Sequence, residues 1–132
     1  MVEQSQANGQ VQIILGNPST TRGMRCPIIM TRKADFLVYA TKDVLNFHHI
    51  EQPHLKSAVY TEHRVQITSI CQHPVDDSKF AFGNAAGLVT ILIVKDGGAE
   101  FVVDKEFGMV SSMVRDICFT DDGERIIAVG EG

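Results

Sequence analysis

Five histidines are the first residues in this sequence with chemistry to offer: His48, His49, His54, His63 and His73. Imidazoles hold a metal ion when they converge, as in a His-x-x-x-His turn of helix or beside a Cys-x-x-Cys pair, and neither spacing occurs. His48 and His49 are adjacent in the strand-like run "VLNFHHI", and neighbouring strand residues point to opposite faces. One ion cannot take both. The histidines are expected at the surface or in turns, and no metal is expected. Serine, histidine and aspartate are all present, but no Gly-x-Ser-x-Gly elbow exposes a nucleophile. The carboxylate pairs Asp76-Asp77 and Asp121-Asp122 fall in turn-like sequence, where Asp is favoured because its side chain bonds the local backbone. "GNAAG" (83–87) and "GEG" (130–132) lack the helix start and the Lys-Ser/Thr of a phosphate loop. Tight turns account for both. These residues predict no catalysis and no cofactor.

The bulk properties exclude other classes. A chain of 132 residues with 44% hydrophobic and 21% charged residues has the make-up of one globular domain. Its net charge of −4 argues against nucleic acid, whose binders carry a basic face. No apolar run approaches the ~18 residues of a membrane helix, so no membrane is expected. The opening "MVEQSQANGQ" has neither the basic start nor the apolar centre of a secretory signal. It reads as a polar tail over residues 1–10. The cysteines, Cys26, Cys71 and Cys118, are odd in number, which suits reduced thiols in a cytoplasmic protein. All three lie in apolar, strand-like sequence and are expected to pack as small buried hydrophobes.

The elements that must position these residues are short strands. "VQIIL" (11–15), "PIIMT" (27–31), "FLVYA" (36–40) and "VLNFHHI" (44–50) are divided by polar turns, and "SAVYTE" (57–62) and "VQITSICQ" (65–72) follow. "KFAFGN" (79–84) comes next. "LVTILIVK" (88–95) is apolar on both faces, as a strand buried on both sides must be. "EFVVDKEF" (100–107) alternates apolar with charged residues and suits a half-exposed outer strand. "VRDICFT" and "RIIAVG" flank the Asp-Gly turn at 121–124 as a last hairpin. No helical stripe competes, and the fold class is all-β.

A repeat sets the architecture. An ungapped slide of 47 residues lays Ile67 on Val114, Ile70 on Ile117, Cys71 on Cys118, Ala81 on Ala128 and Gly83 on Gly130, with Phe80 and Phe82 on Ile127 and Val129. A slide of 44 lays Phe36 on Phe80, Val38 on Phe82, Val44 on Leu88 and Phe47 on Ile91. A period of about 40–50 residues holding four strands is that of a β-propeller blade. Residues 11–132 are then expected to be the start of a WD40-type propeller: a closing strand, two four-stranded blades and half of a third. A ring needs about four to eight blades, so the open edge of the last hairpin and the bare blade faces predict self-association. The usual blade markers are weak. There is no Trp, and Leu92-Ile93 stands where a Trp-Asp pair is expected. Glu62-His63 holds the Gly-His position, so the blades are expected to rely on apolar packing.

Beyond the generic repeat, "IILGNP" (13–18), "VYTEH" (59–63) and "VRDICFTDDGERIIAVGEG" (114–132) resemble, in this order and spacing, the opening of the actin-interacting protein 1 family, WD40-repeat cofactors of cofilin. "GLVTILIVK" (87–95) departs from that family's Trp-Asp strand. The resemblance implies an actin-binding regulator that works with cofilin to dismantle actin filaments in the cytoplasm, through contacts on the propeller surface and without enzyme activity. It implies actin filaments and cofilin as partners. By motif position Glu131 is the nearest residue to the family's binding surface, with Glu62 and His63 as further candidates. The alternative is a WD40 scaffold subunit of a multiprotein complex unrelated to actin.

Overall fold

Strand-forming runs and turn residues alternate along this chain, and in a computed structural model they fold into ten strands across residues 27–52, 55–60, 64–108 and 110–130, the residues described here. The expected tail at 1–10 and closing strand at 11–15 lie outside them. β1 (Ile28–Met30), β2 (Phe36–Thr41), β3 (Val44–His49) and β4 (Lys56–Tyr60) form one antiparallel sheet in chain order. β5 (Ile67–Gln72), β6 (Lys79–Asn84), β7 (Leu88–Lys95) and β8 (Glu100–Gly108) form a second, and β9 (Val114–Phe119) pairs with β10 (Ile126–Gly130). The order is that of two meander blades and half of a third, as the repeat predicts.

Packing between sheets makes the core. Val38, Ala40, Leu45 and Phe47 of the first blade meet Ile67, Ile70, Phe80, Phe82 and Leu92 of the second. Phe47 lies at the centre, edge-on to Phe36 and Phe80 and tilted against Phe101. Burying one such ring contributes about 1.5–3 kcal/mol. On its other face the second blade sets Ala81 and Val89 against Val114 and Ile117 of the third. β7 therefore has apolar neighbours on both sides, as its sequence requires. β8 is mostly exposed at the outside. Its charged residues and the register shift between Ile91 and Leu92 blunt an edge that would otherwise recruit strands.

The strand register corrects the repeat. Ile70 pairs with Phe82, and its counterpart Ile117 pairs with Ala128, not with Val129. The 47-residue slide holds for β5 on β9, but β6 falls on β10 at 46, because the hairpin turn of the third blade is one residue shorter. Phe80 and Phe82 thus correspond to Ile126 and Ala128. The same happens earlier. β3 falls on β7 at 44, whereas Val38 corresponds to Ala81 at 43, since Val38 pairs with Phe47 as Ala81 pairs with Ile91. One residue of slip moves every side chain to the other face, so this difference decides which residues look at which blade. The register shifts at the same place in β5 and β9, skipping Thr68 in one and Arg115 in the other.

Two further expectations change. Cys118 is exposed, because it points away from the second blade, on the face opposite Ile117. His48 is 3% exposed instead of lying at the surface. It sits where Leu92 sits in the second blade, and Tyr39, at the Phe82 position, hydrogen-bonds its Nε2 at 3.0 Å.

Candidate functional site

Because the strands are antiparallel, the turns gather on two opposite rims of the blades. One rim carries the β2–β3 and β6–β7 turns with the connections entering β5 and β9. Thr41 pairs with Val44, leaving Lys42 and Asp43 as a two-residue turn, and Lys42 takes a left-handed φ of 56°. The Lys42 carbonyl accepts the Ile67 N–H at 2.8 Å, joining the first blade's turn to the second blade's inner strand. Arg64 lies 3.8 Å from the Asp43 carboxylate, its own side chain almost wholly in solvent. In the next turn the buried Asn84 accepts N–H bonds from Ala86 (2.9 Å) and Leu88 (3.1 Å). Gly87 has a φ of 89°, and a Cβ there would come within 2.2 Å of the Val110 carbonyl. Only glycine fits. The Thr68 hydroxyl reaches across to donate to the Val114 carbonyl. This rim is a platform of short turns braced from blade to blade.

The candidate residues adjoin, in sequence, strand ends that reach this rim. Glu62 and His63 fall between β4 and Arg64, and Glu131 follows Gly130, which pairs with Val114 at the start of β9. All three lie outside the described residues. So does His54.

The opposite rim holds the hairpin turns between the inner strands. Asp77 binds both Arg32 and Lys33 of the first blade, and the Arg32 N–H donates to Gln72 at 2.9 Å. Hydrogen bonds from Arg32 and then Lys33 hold the Asp77 carboxyl below the usual range. His73 ties the second blade to the third. Its Nδ1 accepts N–H bonds from Val75 and Asp76, so its proton sits on Nε2 and is donated to the Gly123 carbonyl at 3.2 Å. Gly123 has a φ of 75°, and a Cβ there would overlap the imidazole at 2.2 Å. The carboxylate pairs work as turn residues, as expected. Asp76 accepts from the Ser78 hydroxyl and N–H, and Asp122 from the Thr120 hydroxyl and the Glu124 N–H. Those bonds lower both acids.

Sequence reasoning did not find these ties. Arg32 and Asp77 are 45 residues apart, and nothing in either turn announces the other. His48 and His49 do face opposite ways. The first is buried with Tyr39 and the second meets Phe36 edge-on, ring centroids 5.3 Å apart. Burial, then the Lys56 charge, pushes the His48 pKa down, and its enclosed Nδ1 has no hydrogen-bond partner among the described residues. Among the described residues no three His, Cys, Asp or Glu side chains group as metal ligands. A cleft of about 330 Å³ opens between β8 and the last hairpin, lined by Ile91, Phe107 and Phe119 with Lys79, Lys105 and Arg125. Its apolar floor and mixed charges suit a polypeptide surface better than one small anion.

No family model matches the chain. It is 28% identical over 115 residues to actin-interacting protein 1 of Drosophila melanogaster, and equally to actin-interacting protein 1-2 of Arabidopsis thaliana. Each alignment covers 87% of this chain and 18% of the relative, so the chain spans less than a fifth of the length of either. Among solved structures, a chain in a crystal structure of the mitotic checkpoint complex superposes with a TM-score of 0.68 at 10% identity, covering 79% of this chain and 32% of that one. That likeness is one of fold, and the fold is the WD40 β-propeller. The chain is an all-β propeller portion, similar in sequence to the actin-interacting proteins 1.

Proposed function

We propose that this chain belongs to an actin-binding cytoskeletal regulator that works with cofilin to promote actin filament disassembly, acting in the cytoplasm by protein–protein contact and not by catalysis. The observation that carries the reading is the similarity over 87% of the chain to two proteins named for interacting with actin. The braced rim supports it. Short turns locked by backbone bonds present side chains without an ordering cost at binding, which favours a protein partner. Glu131, with Glu62 and His63 as weaker contributors, is the proposed point of contact.

Co-sedimentation with actin filaments, with and without cofilin, tests the reading. Pelleting that depends on cofilin, with loss of filament mass, is the expected result. A chain that stays in the supernatant under both conditions refutes it and leaves a WD40 scaffold subunit as the better account.

A further inference from the structure

We propose that a socket between the first and second blades, open on the rim of inner-strand turns, takes the arginine side chain of a partner polypeptide. Both blades that form it have four strands, so it lies between two complete sheets. Nothing in it depends on the proposed function.

Three turns meet around the opening. The β1–β2 turn brings Asp35 next to the buried Thr31, the β5–β6 turn brings Asp77 and Ser78, and the β7–β8 turn brings Gly97. Between them is a cavity of about 200 Å³, floored by Phe36, Phe47, Phe80 and Val94. The rings are held by one another, Phe47 meeting Phe36 and Phe80 edge-on with centroids 6.4 and 5.4 Å apart. The walls are held too. The Thr31 hydroxyl donates to the Asp35 carboxylate and accepts the Phe36 N–H at 3.1 Å, and the Asp35 carbonyl receives the Ile50 N–H at 2.9 Å. Across the opening, the Asp77 carbonyl accepts from Gln72 at 3.0 Å and the Ser78 carbonyl from the Val94 N–H at 2.8 Å. A socket braced in this way needs little ordering when it is filled.

Its chemistry selects the occupant. Among the described residues that line it, the two charged ones are both carboxylates, Asp35 and Asp77. An anion would be repelled, and a purely apolar group would take water from the carboxylates and give nothing back. A cation on an apolar stem satisfies both parts, the stem covering the rings while the charge meets the acids. A guanidinium suits the place better than an ammonium, because it is more weakly hydrated, packs against aromatic rings and offers carboxylates a fork of donors. The chain already makes one contact of this kind. Arg32 Nε donates to Asp77 at 3.1 Å, and Lys33 stands 3.1 Å from the other Asp77 oxygen. Lys33 is 71% exposed, so it is the cation that an arriving arginine displaces.

Titrating the intact chain with N-acetyl-arginine methylamide, followed by amide nuclear magnetic resonance, should move the Asp35, Ser78 and Gly97 signals to saturation. The citrulline counterpart, alike in shape but uncharged, should bind about fivefold more weakly or worse. Asp35→Asn keeps an oxygen for the Thr31 hydroxyl and removes the charge, and should weaken the arginine probe by about fivefold. Lys33→Gln should tighten it by up to about fivefold, a gain that a misfolded chain cannot give. Citrulline binding as well as arginine, or both variants leaving the affinity unchanged, overturns the carboxylates as the binding groups. A lysine probe that binds equally well overturns the choice of guanidinium. Shifts that do not saturate, or that are as large at Asp121 and Asp122, overturn the site.

Discussion

Gly83 lies where the second blade meets the third, and it allows the register to be tested in energy. A Cβ added there would stand 2.5 Å from Cγ1 and 2.7 Å from Cβ of Val114, with the Ser69 hydroxyl at 2.8 Å. Val114 is fully buried and cannot swing out of the way. Gly83→Ala therefore overpacks the interface at a cost of about 1–3 kcal/mol, offset by the ~0.4–1 kcal/mol that alanine gains by restricting the unfolded chain. A net loss of about 1–2 kcal/mol is expected. Val114→Ala removes two methyl groups at roughly 0.8 kcal/mol each and leaves a cavity, for about 2–3 kcal/mol in all. If the sites were independent, the double variant would lose about 3–5 kcal/mol. The structure predicts otherwise. Val114→Ala removes the Cγ1 at 2.5 Å and keeps the Cβ at 2.7 Å, so part of the overlap is relieved and the double variant should lose about 1 kcal/mol less than the sum. Urea unfolding followed by far-ultraviolet circular dichroism, at one protein concentration for all four chains, measures the cycle. Additivity within about 0.5 kcal/mol would refute the packing of β6 on β9, and with it the face assignments that follow from the register.

Two predictions concern charge. The folded-state pKa of His48 is lowered, by burial first and then by Lys56. The unfolded chain therefore takes up a proton near pH 6.5 that the folded chain refuses. Stability is full above that pH and is lost as the pH falls from it toward the lower folded value; His48→Gln should flatten this limb of a urea-midpoint profile while leaving the separate loss below pH 4, where Asp76, Asp77 and Asp122 protonate. Asp77→Asn removes the partner of Arg32 and Lys33. Because all three side chains meet solvent, the loss should be small at low salt and vanish in molar salt; an undiminished loss in molar salt would point to packing instead of charge.

Much of the fold is legible in the sequence because strand pattern is local. The double-sided apolar run at 88–95 and the Asp-Gly hairpin are found where their patterns require, whereas the alternating 100–107 forms the expected outer strand but leaves Val103 and Phe107 of its apolar face exposed. Correspondence between blades is less local. A slide without gaps matches one strand of each hairpin and misses the other, since a turn one residue shorter leaves composition almost unchanged yet exchanges the faces of β10. That is why Ile127 and Val129 line up with buried phenylalanines in the sequence and stand in solvent in the structure. Cys118 fails for a related reason: an apolar context shows that a strand has a buried face, but not which residue is on it. His48 reads as polar and is buried, because Tyr39 nine residues earlier satisfies one nitrogen. The interaction rim was read from motif resemblance alone, and Glu62, His63 and Glu131 lie outside the described residues.

The two rims hold neighbouring blades together by different means. On one, the carbonyls of Lys42 and Gly87 receive N–H groups from Ile67 and Val110, bonds that any residue but proline could supply. On the other, the joints are side chains, Asp77 with Arg32 and Lys33, and His73 with the Gly123 carbonyl. The first rim is therefore the firmer hinge, where the exposed Arg64–Asp43 pair adds little, and the second is a latch. Acid protonates Asp77, and salt screens the Arg32–Asp77 pair, so either should let the first two blades splay at the latch while they stay joined at the hinge. A propeller built this way changes its curvature in one direction only, opening the rim of inner-strand turns and leaving the braced platform in place.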